Sequence, residues 1–474
     1  MIKSRLVHKI DISADNLISS LLHLSETETV CILDSCGVGH LGSHLMIAGI
    51  DPVETLEISN DDTEQTLAVI DEKIGGDFAC LFTLAYDFGM KLLGIQPRVK
   101  EFSTPTEPDL FLARFDALVI HDYDNGVTKV VGNIEKHASI VNKLVTNICN
   151  FESEISNSPA TISSNFSKAE YLAAIETIKE HIRSGNTYQT NLTQQLTANL
   201  PCDITPQQIF YRLRRDHPAP FAAFIKRLDS TVISASPERF FRITEGGNPT
   251  IREGASVPNI STSPIKGTRP RGQNAAEDTT FRNELLTSTK DRAENTMIVD
   301  LLRNDLGRVC EYGSVRVEKL CDLEEHPTFF HLVSTVSGEL SANVKFSEIL
   351  RALFPCGSIT GAPKISTMRI VDEIETVNRG LSMGTIGYYV PGRKAQVQSP
   401  KSKVPTNVLS WEIGLGTFDL SVAIRTIVVR ENTARFNVGG GIVIDSDPES
   451  EYDETLTKAK ALLNAIGASL EFQL

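Results

Sequence analysis

Apolar residues recur along this chain at helical and at strand spacing. After Ser167-Lys-Ala-Glu170, a capping box, Tyr171, Ile175, Ile178 and Ile182 follow at spacings of four, three and four. They therefore share one helical face, and Gly185 stands where that helix should stop. T-V-I-S-A-S at 231–236 reads as a strand, and Asp291–Arg303 as a helix burying Met297, Ile298, Leu301 and Leu302. Short apolar runs at Cys31–Leu33 and Leu118–His121, mixed with acidic stretches, suggest an α+β first part. Strands and helices then alternate unevenly, unlike regular βαβ units. The expectation is an α+β fold with antiparallel sheets. No solenoid repeat is visible.

Residues 151–166 are Ser-rich and contain Pro159. They read as a linker between a region spanning 1–150 and a region spanning 166–465. Residues 391–410 carry three prolines, four cations and no acid, the composition of an inserted, mobile surface loop.

Composition narrows the function. The 474 residues are 41% hydrophobic and 22% charged, an ordinary globular balance. The formal charge of −14 makes nucleic acid and anionic membranes poor partners. An anionic substrate would need a local concentration of Lys and Arg. The eight cysteines include no C-x-x-C, which leaves zinc-ribbon and thioredoxin-type readings without support. There is no apolar run long enough for a membrane span and no signal-like N-terminus. A reducing, cytoplasmic location is expected.

One cationic fragment is P-I-K-G-T-R-P-R-G at 264–272, whose prolines and glycines make a poor helix and a poor central strand. A loop lysine is usually a solvated charge. If Lys266, Arg269 and Arg271 converge on one pocket, repulsion favours the neutral, nucleophilic amine. Glu451 and Glu454 lie three apart in a helix that Asp447 or Ser446 caps and Pro448 starts. They read as acids at a helix start or as oxygen ligands for a hard cation. Glu294 reads as the polar edge of its helix or as an acid held inward by a partner. Gly357–Lys364 fails the phosphate-loop spacing, although a helix start there could hold a carboxylate. The glycines of N-V-G-G-G-I-V-I at 437–444 read as a bulge or as close backbone approach to a ligand.

Taken together and in order, S-A-S-P-E-R-F, P-I-K-G-T-R-P-R-G, A-E-N-x-M-I-V-D-L-L-R-N-D-L-G-R-V, H-L-V-S-T-V-S-G, G-S-I-T-G-A-P-K, G-x-I-G-Y, A-I-R-T, G-G-G-I-V-x-D-S-D and E-Y-x-E-T-L-x-K-A-K resemble the chorismate-utilising enzymes. That family includes anthranilate, aminodeoxychorismate, isochorismate and salicylate synthases. The resemblance covers roughly 166–465, with weaker matches at I-L-D-S (32–35) and A-Y-D-F-G (85–89). It implies large antiparallel sheets packed face to face with flanking helices.

The resemblance also implies a site. Mg²⁺ would be held by Glu294, Glu451 and Glu454. Arg425 and Tyr388 would hold the enolpyruvyl carboxylate, with Gly441, Gly267, Thr268 and Thr360 completing the pocket. His331 would lie near the ring or its carboxylate, unless it is a satisfied core histidine, and Lys364 would support the pocket's charge. Glu238 would be the general acid and Lys266 the nucleophile. Lysine at 266 matches aminodeoxychorismate synthases, whereas anthranilate synthases carry alanine in this motif. The chain offers no G-x-C-x-G amidotransferase elbow, so ammonia would come from a separate glutamine amidotransferase subunit. Anthranilate synthase activity and a non-catalytic chorismate-binding homologue are the competing readings. The stretch between Glu238 and Lys266, with G-G-N-P and S-T-S-P, departs from the family and reads as an extra loop.

Overall fold

The computed structural model describes residues 7–39, 44–98, 100, 107–148, 160–244, 257–325, 329–391 and 417–468. Most of the expected linker, the expected basic loop beyond 391 and the G-G-N-P stretch lie outside those residues. Every strand pairing among the described residues is antiparallel. The strands form a 12-stranded sheet and a 10-stranded sheet.

Both sheets draw strands from both ends of the chain. Val30–Asp34 pairs with Phe221–Lys226 in the larger sheet. Ala79–Leu84 pairs with Thr385–Val390 in the smaller one. Strand alternation then sorts side chains into layers. Leu118 and Ile120 face the space between the sheets, together with Leu81, Phe111 and Ile386 from the opposite sheet. Ala117 and Val119 face outward onto helices that include Ala14–Leu24, Pro206–Asp216 and Pro448–Ala465. Cys80 and Phe82 face the other way, toward a core shared with Thr289–Leu306 and Phe346–Leu353. Burial on both faces explains why Ala79–Leu84 is almost wholly apolar rather than alternating.

The local expectations hold at several points. The capping box forms at Lys168–Arg183, and Gly185 follows at φ +76°. Thr231–Ser236 is a strand. The expected helix at 291–303 lies within Thr289–Leu306, capped by Ser288. The cationic fragment differs from expectation, because Ile265–Pro270 is a strand at the end of the smaller sheet. An edge position leaves a proline's missing N–H harmless. The glycine run contains no bulge: Thr433–Ile442 pairs with Gln189–Asn199 residue for residue. A Cβ on Gly439 would stand 2.0 Å from the Leu192 carbonyl oxygen, so close backbone packing demands glycine there.

Candidate active site

The register between Ile265–Pro270 and Phe329–Glu339 shifts between Ile265 and Thr268, and Gly267 within the shift has φ +86°. Such a bulge re-aims a side chain. Half-buried Lys266 reaches the Ser358 carbonyl, to which its Nζ donates at 3.2 Å. The three cations of the fragment do not converge. Arg269 pairs with Asp291 at 3.2 Å. Arg271 pairs with Asp278 at 2.7 Å and lies over the Phe330 ring. The two arginines of the fragment are thus drawn off by their own acids rather than gathered beside Lys266.

Glu238 is 6% exposed and accepts the Ser358 hydroxyl at 2.7 Å. Burial pushes its carboxyl upward, while Ser358, the field of Lys266 and the Ile265 amide oppose the rise. A buried carboxyl held toward its protonated form suits a proton donor.

Glu294 on Thr289–Leu306 is half-buried. Burial raises its carboxyl, Lys266 and Lys290 lower it, and Asp291 and Glu451 raise it further. The acid is thus partly withdrawn from solvent, with Lys266 and Lys290 favouring its charged form. Glu451 accepts from Ser446 at 2.6 Å and lies 3.8 Å from Lys290. For Glu454, burial acts upward but Lys458, Lys290 and Lys266 carry the group below its usual range. Lys458 bonds it at 2.7 Å. Lys266 and Lys290 thus lie within the electrostatic reach of acids from two helices. No three acidic, His or Cys side chains form a ready metal cage among the described residues. The donors are all carboxylate oxygens, the chemistry a hard divalent cation takes.

Arg425 sits at φ +49°, an uncommon conformation for a side-chain-bearing residue. Burial pulls its guanidinium downward. Tyr388 lies between the sheets, where it lines a cavity with Leu33, Asp34, Phe221 and Asp419. No hydrogen bond, ion pair or ring contact among the described residues joins Tyr388 to Arg425 or Lys266. His331 is 3% exposed, faces Thr268 across the strands at 2.9 Å and packs on Phe329. Thr360 donates to the Cys356 carbonyl at 3.1 Å, closing its turn. Lys364 is paired with buried Asp305 at 2.7 Å, which matches its charge.

Three site residues escaped the sequence reading. Ser358 joins Glu238 to Lys266 from a distant turn. Lys290 lies four residues before Glu294, a helical neighbour. Gln189 is 2% exposed, and its Oε1 has no hydrogen-bond partner among the described residues. A Cβ on Gly441 would lie 2.2 Å from Gln189 Nε2, so that glycine makes room for the amide. The visible clue was a polar strand, Q-T-N-L-T-Q-Q at 189–195, in a mostly apolar sheet.

The chain matches the family described as chorismate binding enzyme over residues 29–398 and 408–464. It is 41% identical over 302 residues to "Aminodeoxychorismate synthase component 1" of Klebsiella aerogenes, across 64% of this chain and 59% of that relative. It therefore spans about three fifths of that relative's length. It is 35% identical over 381 residues to "Anthranilate synthase component 1" of Aquifex aeolicus, across 77% of this chain and 70% of the relative. The crystal structure of anthranilate synthase component I from Streptococcus pneumoniae superposes with a TM-score of 0.69 at 25% identity, across 90% of this chain and 93% of that one. On the extent of the family match, the chain belongs to the chorismate binding enzymes.

Proposed function

We propose that the protein aminates chorismate to 4-amino-4-deoxychorismate, as component I of an aminodeoxychorismate synthase acting in 4-aminobenzoate and folate synthesis. Ammonia is supplied by a separate glutaminase subunit. The observation that carries this reading is Lys266, bonded to Ser358 beside Glu238 and within the field of Glu294 and Glu454.

The residues serve the reaction as follows. Lys266, as the neutral amine, attacks C2 of chorismate. The ring double bond shifts and the C4–O bond breaks. Glu238 gives its proton to the departing hydroxyl, which leaves as water, and the new C2–N bond sheds the lysine's proton. Ammonia then bonds to C4, the double bond shifts back and the C2–N bond breaks. One ammonia proton returns to the lysine, and the free amine is restored. Tethering the first amine replaces a bimolecular encounter with one of high effective molarity. Glu294, Glu451 and Glu454 would hold Mg²⁺, which supplies positive charge for the substrate's ring carboxylate. Arg425 suits the enolpyruvyl carboxylate through its planar fork.

Anthranilate synthase activity is the second reading, favoured by the likeness to the Aquifex aeolicus relative. Incubation with chorismate, Mg²⁺ and an ammonium salt separates the two. The proposal expects 4-aminobenzoate once a lyase is added, together with a transient adduct on Lys266 by intact-mass spectrometry. Anthranilate formed directly, with no adduct, would overturn it.

A further inference from the structure

A polar cavity lined by none of the residues assigned to the Lys266 site lies over the strands Gln189–Asn199, Thr426–Arg430 and Thr433–Ile442. It has about 80 Å³ of internal space, room for roughly five or six waters. Three guanidiniums line it, those of Arg379, Arg430 and Arg435.

Two of these guanidiniums carry buried N–H groups with no acceptor among the described residues. Arg379 is 4% exposed and pairs with Glu375 at 2.8 Å, yet its Nη1 has no acceptor among the described residues. Arg430 pairs with Asp229 at 3.3 Å, and its buried Nε likewise has none. Arg435 has no carboxylate within ion-pair distance among the described residues. The lining acids, Asp87 and Glu107, favour the charged forms of Arg379 and Arg435 from a distance, but neither forms an ion pair with a cavity arginine among the described residues. Glu107 is taken by Arg227 at 2.6 Å. Asp87 accepts the Gly380 amide at 3.0 Å, and burial pushes it up to about 7. Asn437, also in the lining, bonds Gln195 and Thr193.

Buried donors without acceptors are costly, and a planar or tetrahedral oxyanion is the partner guanidiniums bind best. We propose that this cavity is a binding site for a small oxyanion, a carboxylate or a phosphate, separate from the Lys266 site. Arg379, already held by Glu375 and by the Tyr86 ring beneath it at 4.6 Å, forms the fixed wall. Arg430 and Arg435 supply the adjustable contacts. The inference uses none of the residues assigned to chorismate.

The test is calorimetric titration of the full chain, at constant ionic strength, with inorganic phosphate and separately with malonate. Saturable one-to-one binding of at least one anion is expected, and the preferred anion identifies the class. Arg435→Gln and Arg430→Gln should each weaken it tenfold or more while the kcat and KM for chorismate stay unchanged. Arg425→Gln should leave the titration as in the wild type. The proposal is overturned if neither anion saturates. It is equally overturned if both cavity variants bind like the wild type, or if Arg425→Gln alone abolishes binding, which would assign the anion to the other site.

Discussion

Lys266 and Glu238 are tied to one residue: the Ser358 carbonyl accepts from Lys266 Nζ at 3.2 Å, and the Ser358 hydroxyl donates to Glu238 at 2.7 Å. The proposed nucleophile and the proposed acid are therefore positioned by a single turn, which moves both if it moves.

That turn opposes the effect of burial on the acid's titration. Ser358→Ala removes a bond that holds the Glu238 carboxyl down, while burial still pushes it up. A general acid works only while protonated, so activity falls as pH rises through its pKa. The alkaline limb of kcat/KM should move to higher pH, since a hydrogen bond that favours the charged form has been lost. An unmoved limb in a pH–rate profile would take Glu238 out of that role.

Lys266→Ala should remove the covalent adduct from the mass spectrum and lower turnover by roughly 10³-fold or more, as losing a nucleophile does. The fold should survive, since the lysine is half-buried and its one hydrogen bond among the described residues is to a backbone carbonyl. A variant that still accumulates the adduct would place the reactive amine elsewhere.

The neighbouring glycines should fail in different ways. On Gly439 a methyl would meet the Leu192 carbonyl oxygen at 2.0 Å, backbone that cannot step aside. Gly439→Ala should cost about 1–3 kcal/mol of stability in urea unfolding. On Gly441 it would meet the end of the Gln189 side chain, which can swing away. Gly441→Ala should unfold near the wild-type urea concentration but raise the KM for chorismate.

Asp87 links pH to stability. Burial raises its folded carboxyl to about 7 from a usual value of 3.8. Ionising it therefore costs stability, with a penalty that grows between about pH 4 and 7 and is complete above that range. Asp87→Asn should match the wild type at pH 4. At pH 8 it should be more stable by about 1–2 kcal/mol, less than the full shift implies because the side chain is partly exposed. Thermal unfolding at the two pH values reads the difference.

Glu375→Gln should destabilise by about 3 kcal/mol or more, because it leaves the Arg379 charge buried without its partner. Equilibrium unfolding in urea measures this directly.

The elements whose causes are local were legible in the chain. The Ser167 cap, the Tyr171–Ile182 face, the Asp447 cap with Pro448 and the strand at 231–236 each depend on residues within one or two turns of each other. The family's motifs likewise marked Glu238, Lys266, Glu294, Glu451 and Glu454 as the candidates on which the proposed function rests. Pairing partners were not legible. Nothing in C-I-L-D foretells that it will hydrogen-bond to a strand near residue 224. Nothing in G-S-I-T foretells that its serine will reach Glu238 across 120 positions and Lys266 across 92. The edge placement of Ile265–Pro270, the ion pairs that draw off Arg269 and Arg271, and the cavity of three arginines were decided in the same way. Local sequence sets backbone preference and burial, because these follow from propensity and periodicity. The partner of a polar group is set by which distant strands and helices pack together, and that is a property of the whole folded chain.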